Sequence, residues 1–259
     1  KKDGQESGKI SNEKYDVHYT SNGLASIYDK ELGKTIAGSG SLDLIAEDDI
    51  GTLWDRMKRF EVTYNLKEFS TVTVHAYSGS YQKLVIEGEL KKPLFWDMAD
   101  KWSVGLKTVV GADGRTITSD EVEVLINSLK WKHEILLVPG SDRVDIRTTV
   151  DCDSENVRLY VPFHTGFKTQ NDNALYGIPY GALKRPSYKQ KEGSFHTPDG
   201  LWPAADWMGV EHPDNTHSVG LINKGILGNR FFNGTMELHL LRSPRLSPWL
   251  TRTLEENRN

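Results

Sequence analysis

The sequence predicts an all-β protein of sandwich or barrel architecture, and three observations lead there. Apolar, β-branched and aromatic residues recur in short alternating runs, Gly, Asp, Asn and Pro punctuate those runs, and no segment sustains a long amphipathic helical period. About fifteen strands are expected, enough to require large sheets or two packed units.

The elements follow in order. Tyr15–Tyr19 alternates, and Ser21-Asn22-Gly23 supplies a short turn whose Asn-Gly accepts positive φ, so a hairpin into Leu24–Tyr28 is predicted. Ile50–Lys58 offers little more than two helical turns. Ser70–Tyr77 and Lys83–Leu90 are the next clear strands, and Ala112-Asp113-Gly114-Arg115 is a second turn. Glu121–Ile126 and Trp131–Val138 read as two further strands. Pro139-Gly140-Ser141-Asp142 then turns the chain into Val144–Val150. Residues 165–192 accumulate Gly, Asn, Pro and Lys and read as a long surface loop, before Met236–Leu241 closes the series. No repeat of constant period occurs, which argues against a propeller or solenoid.

Bulk properties exclude several classes. With 259 residues the chain is long enough for one large core or two small ones. A net charge of -4 gives no general attraction to phosphate backbones or anionic lipid, so neither nucleic acid nor membrane is expected as a partner. Ile135–Val138 and Val219–Ile222, the longest apolar runs, are far shorter than a membrane-spanning helix requires. Lys1–Lys9 shows no apolar signal-peptide core, which leaves localisation open. The single cysteine, Cys152, rules out an internal disulfide, and its neighbours Asp151 and Asp153 disfavour a reactive thiolate. Phosphate-binding loops, dinucleotide fingerprints and nucleophile elbows are absent. The basic group Lys184, Arg185, Lys189 and Lys191 reads as a solvated loop.

Two groups of residues remain as chemical candidates. His212 and His217 share one loop with Asp206, Glu211 and Asp214, N and O donors of the kind that hold zinc, although loops of this composition are commonly just solvated. Asp48-Asp49 and Asp206 accompany Trp54 and Trp207, and sugars bind where an aromatic plane covers the ring and carboxylates accept its hydroxyl protons. The structural alternative is that these tryptophans plug a core.

A family resemblance orders these fragments. The run Ile10-Ser11-Asn12-Glu13-Lys14-Tyr15-Asp16-Val17, followed by Asn22-Gly23-Leu24-Ala25-Ser26-Ile27-Tyr28-Asp29-Lys30, resembles the start of the C-terminal β region of glycoside hydrolase family 38, the class II α-mannosidases. Thr52-Leu53-Trp54-Asp55, Tyr176-Gly177-Ile178-Pro179-Tyr180-Gly181, Pro203-Ala204-Ala205-Asp206-Trp207 and Leu240-Leu241-Arg242-Ser243-Pro244 are similar to later segments in the same order. The resemblance implies a large supersandwich, galactose mutarotase-like, over residues 10–245. Residues 1–9 would be a disordered or linker segment, and 246–259 a tail or truncated last element. It also implies a catalytic barrel elsewhere in the parent protein, carrying zinc, a nucleophilic Asp and an acid Asp whose segments are not recognised in this chain. On this reading the chain has no cofactor or catalytic residue of its own and its partners are the barrel and a mannose-containing carbohydrate. Trp54, Asp55, Asp206, Trp207 and Arg242 are its candidate substrate contacts. Arg242 either orients hydroxyls at the groove or ties sheet edges together. The alternatives are a carbohydrate-binding module using Trp54, Trp202 or Trp207, and a mutarotase-like epimerase drawing on His164, His196 and Glu211.

Overall fold

The structure of the protein is a computed structural model that describes residues 7–49, 63–96, 107–110, 116–119, 123–167, 173–186, 200–214 and 216–244. In chain order its strands are β1 (Ser7–Ser11), β2 (Tyr15–Thr20), β3 (Gly23–Asp29), β4 (Lys34–Ala37), β5 (Ile45–Asp48), β6 (Thr63–Asn65) and β7 (Ser70–Ser78). There follow β8 (Gln82–Leu90), β9 (Leu94–Trp96), β10 (Lys107–Val110), β11 (Thr116–Ser119), β12 (Glu123–Leu137), β13 (Asp145–Ser154) and β14 (Val157–His164). The series ends with β15 (Asn173–Ile178), β16 (Gly181–Pro186), β17 (Trp202–Pro203), β18 (Trp207–Glu211), β19 (Ser218–Ile222), β20 (Gly228–Phe232) and β21 (Thr235–Ser243). The all-β expectation holds, with no helix among the described residues. The extra strands are short ones such as β6, β9 and β17, too brief to show an alternating run. The predicted helical turns of Ile50–Lys58, the Ala112–Arg115 turn and the tail at 246–259 lie outside the described residues.

Among the described residues the strands form five sheets, arranged in a ring despite the absence of a sequence repeat. Their strand counts differ from sheet to sheet, so no period is imposed on the sequence. The N-terminal sheet runs β1-β2-β3-β4 and the central sheet β17-β20-β21-β14-β5-β6. The C-terminal sheet is β16-β15-β18-β19, and the long-strand sheet is β13-β12-β8-β7 with β9 beside β12. Among the described residues β10 and β11 pair only with each other. One apolar cluster joins residues from four sheets, including Val17, Ile27, Leu84, Ile135, Leu159, Val161, Tyr176 and Phe231.

Local chemistry explains the details. The Ser21-Asn22 connection closes β2 onto β3 with Thr20 opposite Gly23, whose φ of 124° suits only glycine well. Ser7–Lys9, expected in a disordered or linker segment, pair with His18–Thr20 in β1. Gly8 permits this because a Cβ there would meet the Tyr19 hydroxyl at 2.6 Å. β12 is one strand where the sequence suggested two. The ladder slips between Ile126 and Ser128, and Asn127 turns outward to bond Asp153 at 2.7 Å, which breaks the alternation.

In the long-strand sheet, Leu84, Ile86, Leu129, Trp131, His133 and Ile135 face the core. The Trp131 ring lies across Gly88, its partner on β8, and a Cβ on Gly88 would sit 2.1 Å from that ring. Trp131 is buried and cannot swing away. Gly88→Ala is therefore expected to destabilise the fold by about 1–3 kcal/mol, read as a lowered urea midpoint. Adding Trp131→Leu should recover part of the loss, and strict additivity of the two changes would refute the contact.

Candidate functional site

The central sheet carries a polar face that its sequence alone does not reveal. Strand β14 is buried on both sides: Val157, Leu159, Val161 and Phe163 enter the apolar core, while Arg158, Tyr160 and Pro162 point the other way. Opposite Arg158 stand Glu47 on β5 and Arg242 on β21, and opposite Tyr160 stands His239. His239 and Arg242 are three residues apart, which in a regular strand puts them on opposite faces. A register shift between Leu159 and Tyr160 absorbs Leu240 and keeps both on the Arg158 face.

The result is a chain of charges. Glu47 bonds the fully buried Arg158 guanidinium, and its other oxygen lies 3.6 Å from Arg230 on β20. Arg230 donates from Nε to Glu237 Oε2 at 2.6 Å, and His239 Nε2 lies 3.4 Å from the same oxygen. The Tyr160 ring packs at 4.9 Å from His239 and lies under the Arg230 guanidinium. Burial, reinforced by Glu237 and Glu47, pushes the Tyr160 hydroxyl well above the phenol range. Burial opposes the charge on Arg230, but Glu237 and Glu47 outweigh it and hold the guanidinium protonated.

At the edge of this network Arg242 grips Asp49 with a two-point fork, Nε to Oδ2 at 2.5 Å and a terminal nitrogen to Oδ1 at 3.0 Å. The turn between β13 and β14 fixes the geometry. Asn156, at φ 55°, donates to Ser243 O at 2.7 Å and accepts from Asp49 N at 2.7 Å, so one residue positions both partners.

The other candidates are distributed elsewhere. Asp206 is exposed in the bend before β18, and Trp207 is half-buried at the start of that strand, where its ring covers Gly177 so closely that a Cβ there would meet its Nε1 at 2.7 Å. Trp202 donates from Nε1 to Pro186 O at 3.0 Å and lies under the Arg185 guanidinium, so it serves the packing between β16 and β17. Trp54, Asp55 and His196 lie outside the described residues. His164 bonds Thr235 and packs on Gly40, whereas Glu211 sits at the exposed end of β18 in a different sheet. The Cys152 thiol is pushed up by burial, with Asp153 and Asp151 adding to the effect. Of the five residues suggested for zinc, the structure gathers three, His212, Asp214 and His217; the His212-Pro213-Asp214 spacing was a signal in the sequence that the loop composition obscured.

A trough of about 360 Å³ occupies the outer face of the long-strand sheet, lined by Thr71, Thr73, Glu87, Glu89, Lys130 and Asp151 among others. Its one aromatic neighbour among the described residues, Trp131, faces the core, so no exposed ring is offered there on which a sugar could stack.

Among the described residues, no helix is long and apolar enough to cross a membrane. The chain matches the model of the glycosyl hydrolases family 38 C-terminal domain over residues 10–247. Two solved structures are similar: a glycosyl hydrolase family 38 protein from Enterococcus faecalis, at 18% identity, and an α-mannosidase from Enterococcus faecalis V583, at 19%. Each superposes with a TM-score of 0.65 over 91% of this chain, and this chain spans 26% of theirs. No curated protein matches the sequence significantly. Two chains that share under a fifth of their residues with this one share its fold, and the family pattern runs nearly its whole length; the chain belongs to the glycosyl hydrolase family 38 C-terminal domain family.

Proposed function

We propose that this chain is the scaffold and substrate-groove domain of a retaining, zinc-dependent α-mannosidase, its sheets forming a mutarotase-like supersandwich against the parent's catalytic barrel. The observation that carries the reading is the family match over residues 10–247. The chemistry of the carboxylates supports it. Retaining hydrolysis needs one carboxyl to attack the anomeric carbon and another to protonate the leaving oxygen. Glu47, Asp49 and Glu237 are instead engaged by the guanidinium groups of Arg158, Arg230 and Arg242. They hold the sheet together, and the reacting groups and the zinc belong to the barrel.

Exposed apolar side chains support a docking role. Tyr180 is fully exposed, Ile222 is 77% exposed and Leu227 59%. Leu227 and Ile222 border the Ala204–Trp207 segment, since Ala204 bonds Leu227 and Trp207 pairs with Ile222, and Tyr180 lies just past β15, whose Gly177 accepts from Ala205. This end of the C-terminal sheet faces the barrel, and Asp206 and Trp207 line the groove there. Arg242, its side chain 29% exposed, is the groove residue of the central sheet, with Trp54 and Asp55 as further contacts.

The purified chain, with zinc added, is expected to leave a nitrophenyl α-mannoside unhydrolysed. The parent gene is expected to encode a zinc-bearing barrel ahead of Lys1. Turnover by the chain alone, in preparations free of host mannosidase, would overturn the assignment. Saturable mannose binding lost in Trp207→Ala, without any barrel in the parent, would replace it with a binding module.

A further inference from the structure

We propose that the β18–β19 hairpin carries a site for a divalent transition-metal ion of borderline softness, zinc above all, with His212, Asp214 and His217 as its protein ligands. This assignment stands apart from the mannosidase reading and needs no barrel residue. The sheet ladder itself prepares the geometry. Glu211 pairs with Ser218 as the last rung of the ladder, and His212 N donates to His217 O at 2.9 Å just beyond it. The two histidines are thus held face to face across the neck of a hairpin rather than dangling from a loop.

Their rings are fixed as well as their backbones. The imidazoles stack at 4.4 Å, and Phe167, buried behind them, presents its ring edgewise at 5.1 Å to His212 and 5.2 Å to His217. Asp214 Oδ1 lies 2.6 Å from His212 Nδ1 and 3.9 Å from His217 Nδ1. All three donor atoms fall within 4.8 Å of one another. Ligands about 2.0–2.2 Å from a tetrahedral zinc are a little over 3 Å apart, so small rotations about the side-chain torsions bring the three donors onto one ion. Two imidazoles and one carboxylate match zinc in softness and leave a fourth position for water or a further ligand.

Two neighbours oppose binding. Thr216 bonds two of the donors, its N–H and Oγ1 reaching Asp214 Oδ1 at 2.9 and 2.6 Å and its Oγ1 lying 2.7 Å from His217 Nδ1, so its hydroxyl must turn aside when the ion arrives. Lys34 Nζ, on β4, approaches His217 Nε2 at 3.1 Å and Nδ1 at 3.5 Å. A dication beside this ammonium is repelled, and the long lysine side chain must turn to solvent when the ion arrives. The role that follows is a staple: the ion would tie the hairpin neck shut at the point where it packs on Phe167 and β4.

The test is calorimetric titration of zinc chloride into the full chain, tag-free and stripped with chelator, with circular dichroism confirming that each variant folds. The wild type is expected to bind one equivalent, with calcium and magnesium binding far more weakly. His212→Gln combined with His217→Gln should weaken zinc by at least about tenfold, and Asp214→Asn, which keeps both rings, should weaken it less. Lys34→Met should tighten it about three- to tenfold, an effect that adventitious binding at other histidines would not show. Absence of binding at millimolar zinc, an unchanged isotherm in the double variant, or calcium binding as tightly as zinc would overturn the site.

Discussion

Glu47→Ala is expected to destabilise the chain by about 3–5 kcal/mol, enough to unfold a marginal domain at room temperature. The residue is 3% exposed, and its carboxylate bonds Arg158, which is 0% exposed, and reaches Arg230. Removing it takes from a buried guanidinium the carboxylate that bonds it. The cost is mainly that of a buried charge losing its compensating carboxylate. Glu47→Leu with Arg158→Met, which deletes both charges and keeps volume, should therefore be much less harmful than Glu47→Ala alone. Urea unfolding of the three variants checks the comparison. A loss under about 1 kcal/mol in Glu47→Ala would mean that solvent enters the network.

Acid should weaken the fold through His133. This side chain is 1% exposed, in the long-strand sheet, with Nδ1 at 2.9 Å from Thr148 Oγ1. Burial lowers its pKa from 6.5 to about 4, against a smaller opposing pull from the Leu42 backbone. In this window the unfolded chain binds a proton that the folded chain refuses. Stability is therefore full above pH 6.5 and falls as pH drops toward 4, by about 3 kcal/mol in all. Unfolding free energies for wild type and His133→Leu, measured between these limits, should diverge in slope, the variant lacking the His133 component. Parallel curves would show that His133 titrates normally.

Much of the fold is legible in the sequence. Alternation marks β2, β7, β8, β13 and β21, and the Asn-Gly and Pro-Gly turns mark two of the hairpins, because period-two burial and positive φ are local properties written in adjacent residues. Sequence and structure part where the local pattern is interrupted. Asn127 breaks the alternation of β12, so one strand reads as two, and Ser7–Lys9 carry no apolar signal because Gly8 there serves the Tyr19 ring.

The candidate site is far less legible. Arg242 stands out in the sequence, but its partner is Asp49, 193 residues away, and Glu47, Arg158, Arg230, Glu237 and His239 carry no local mark of their role. Each resembles an ordinary solvent-facing residue of a strand. Which of them share a face depends on strand order β20-β21-β14-β5 and on the slip that absorbs Leu240. The hairpin ligands show the same division, since residues 212 and 217 are visible as neighbours along the chain, while Phe167 and Lys34 enter only through packing.

The sequence by itself determined the all-β class, several strands and turns, and the family resemblance, because these depend on interactions within a few residues or on an ordered series of short motifs. Only the tertiary structure decided the charge pairing of the central sheet and the convergence of His212, Asp214 and His217 with Lys34. Charges attract through space, and the distance between them is set by sheet register, which no single segment encodes.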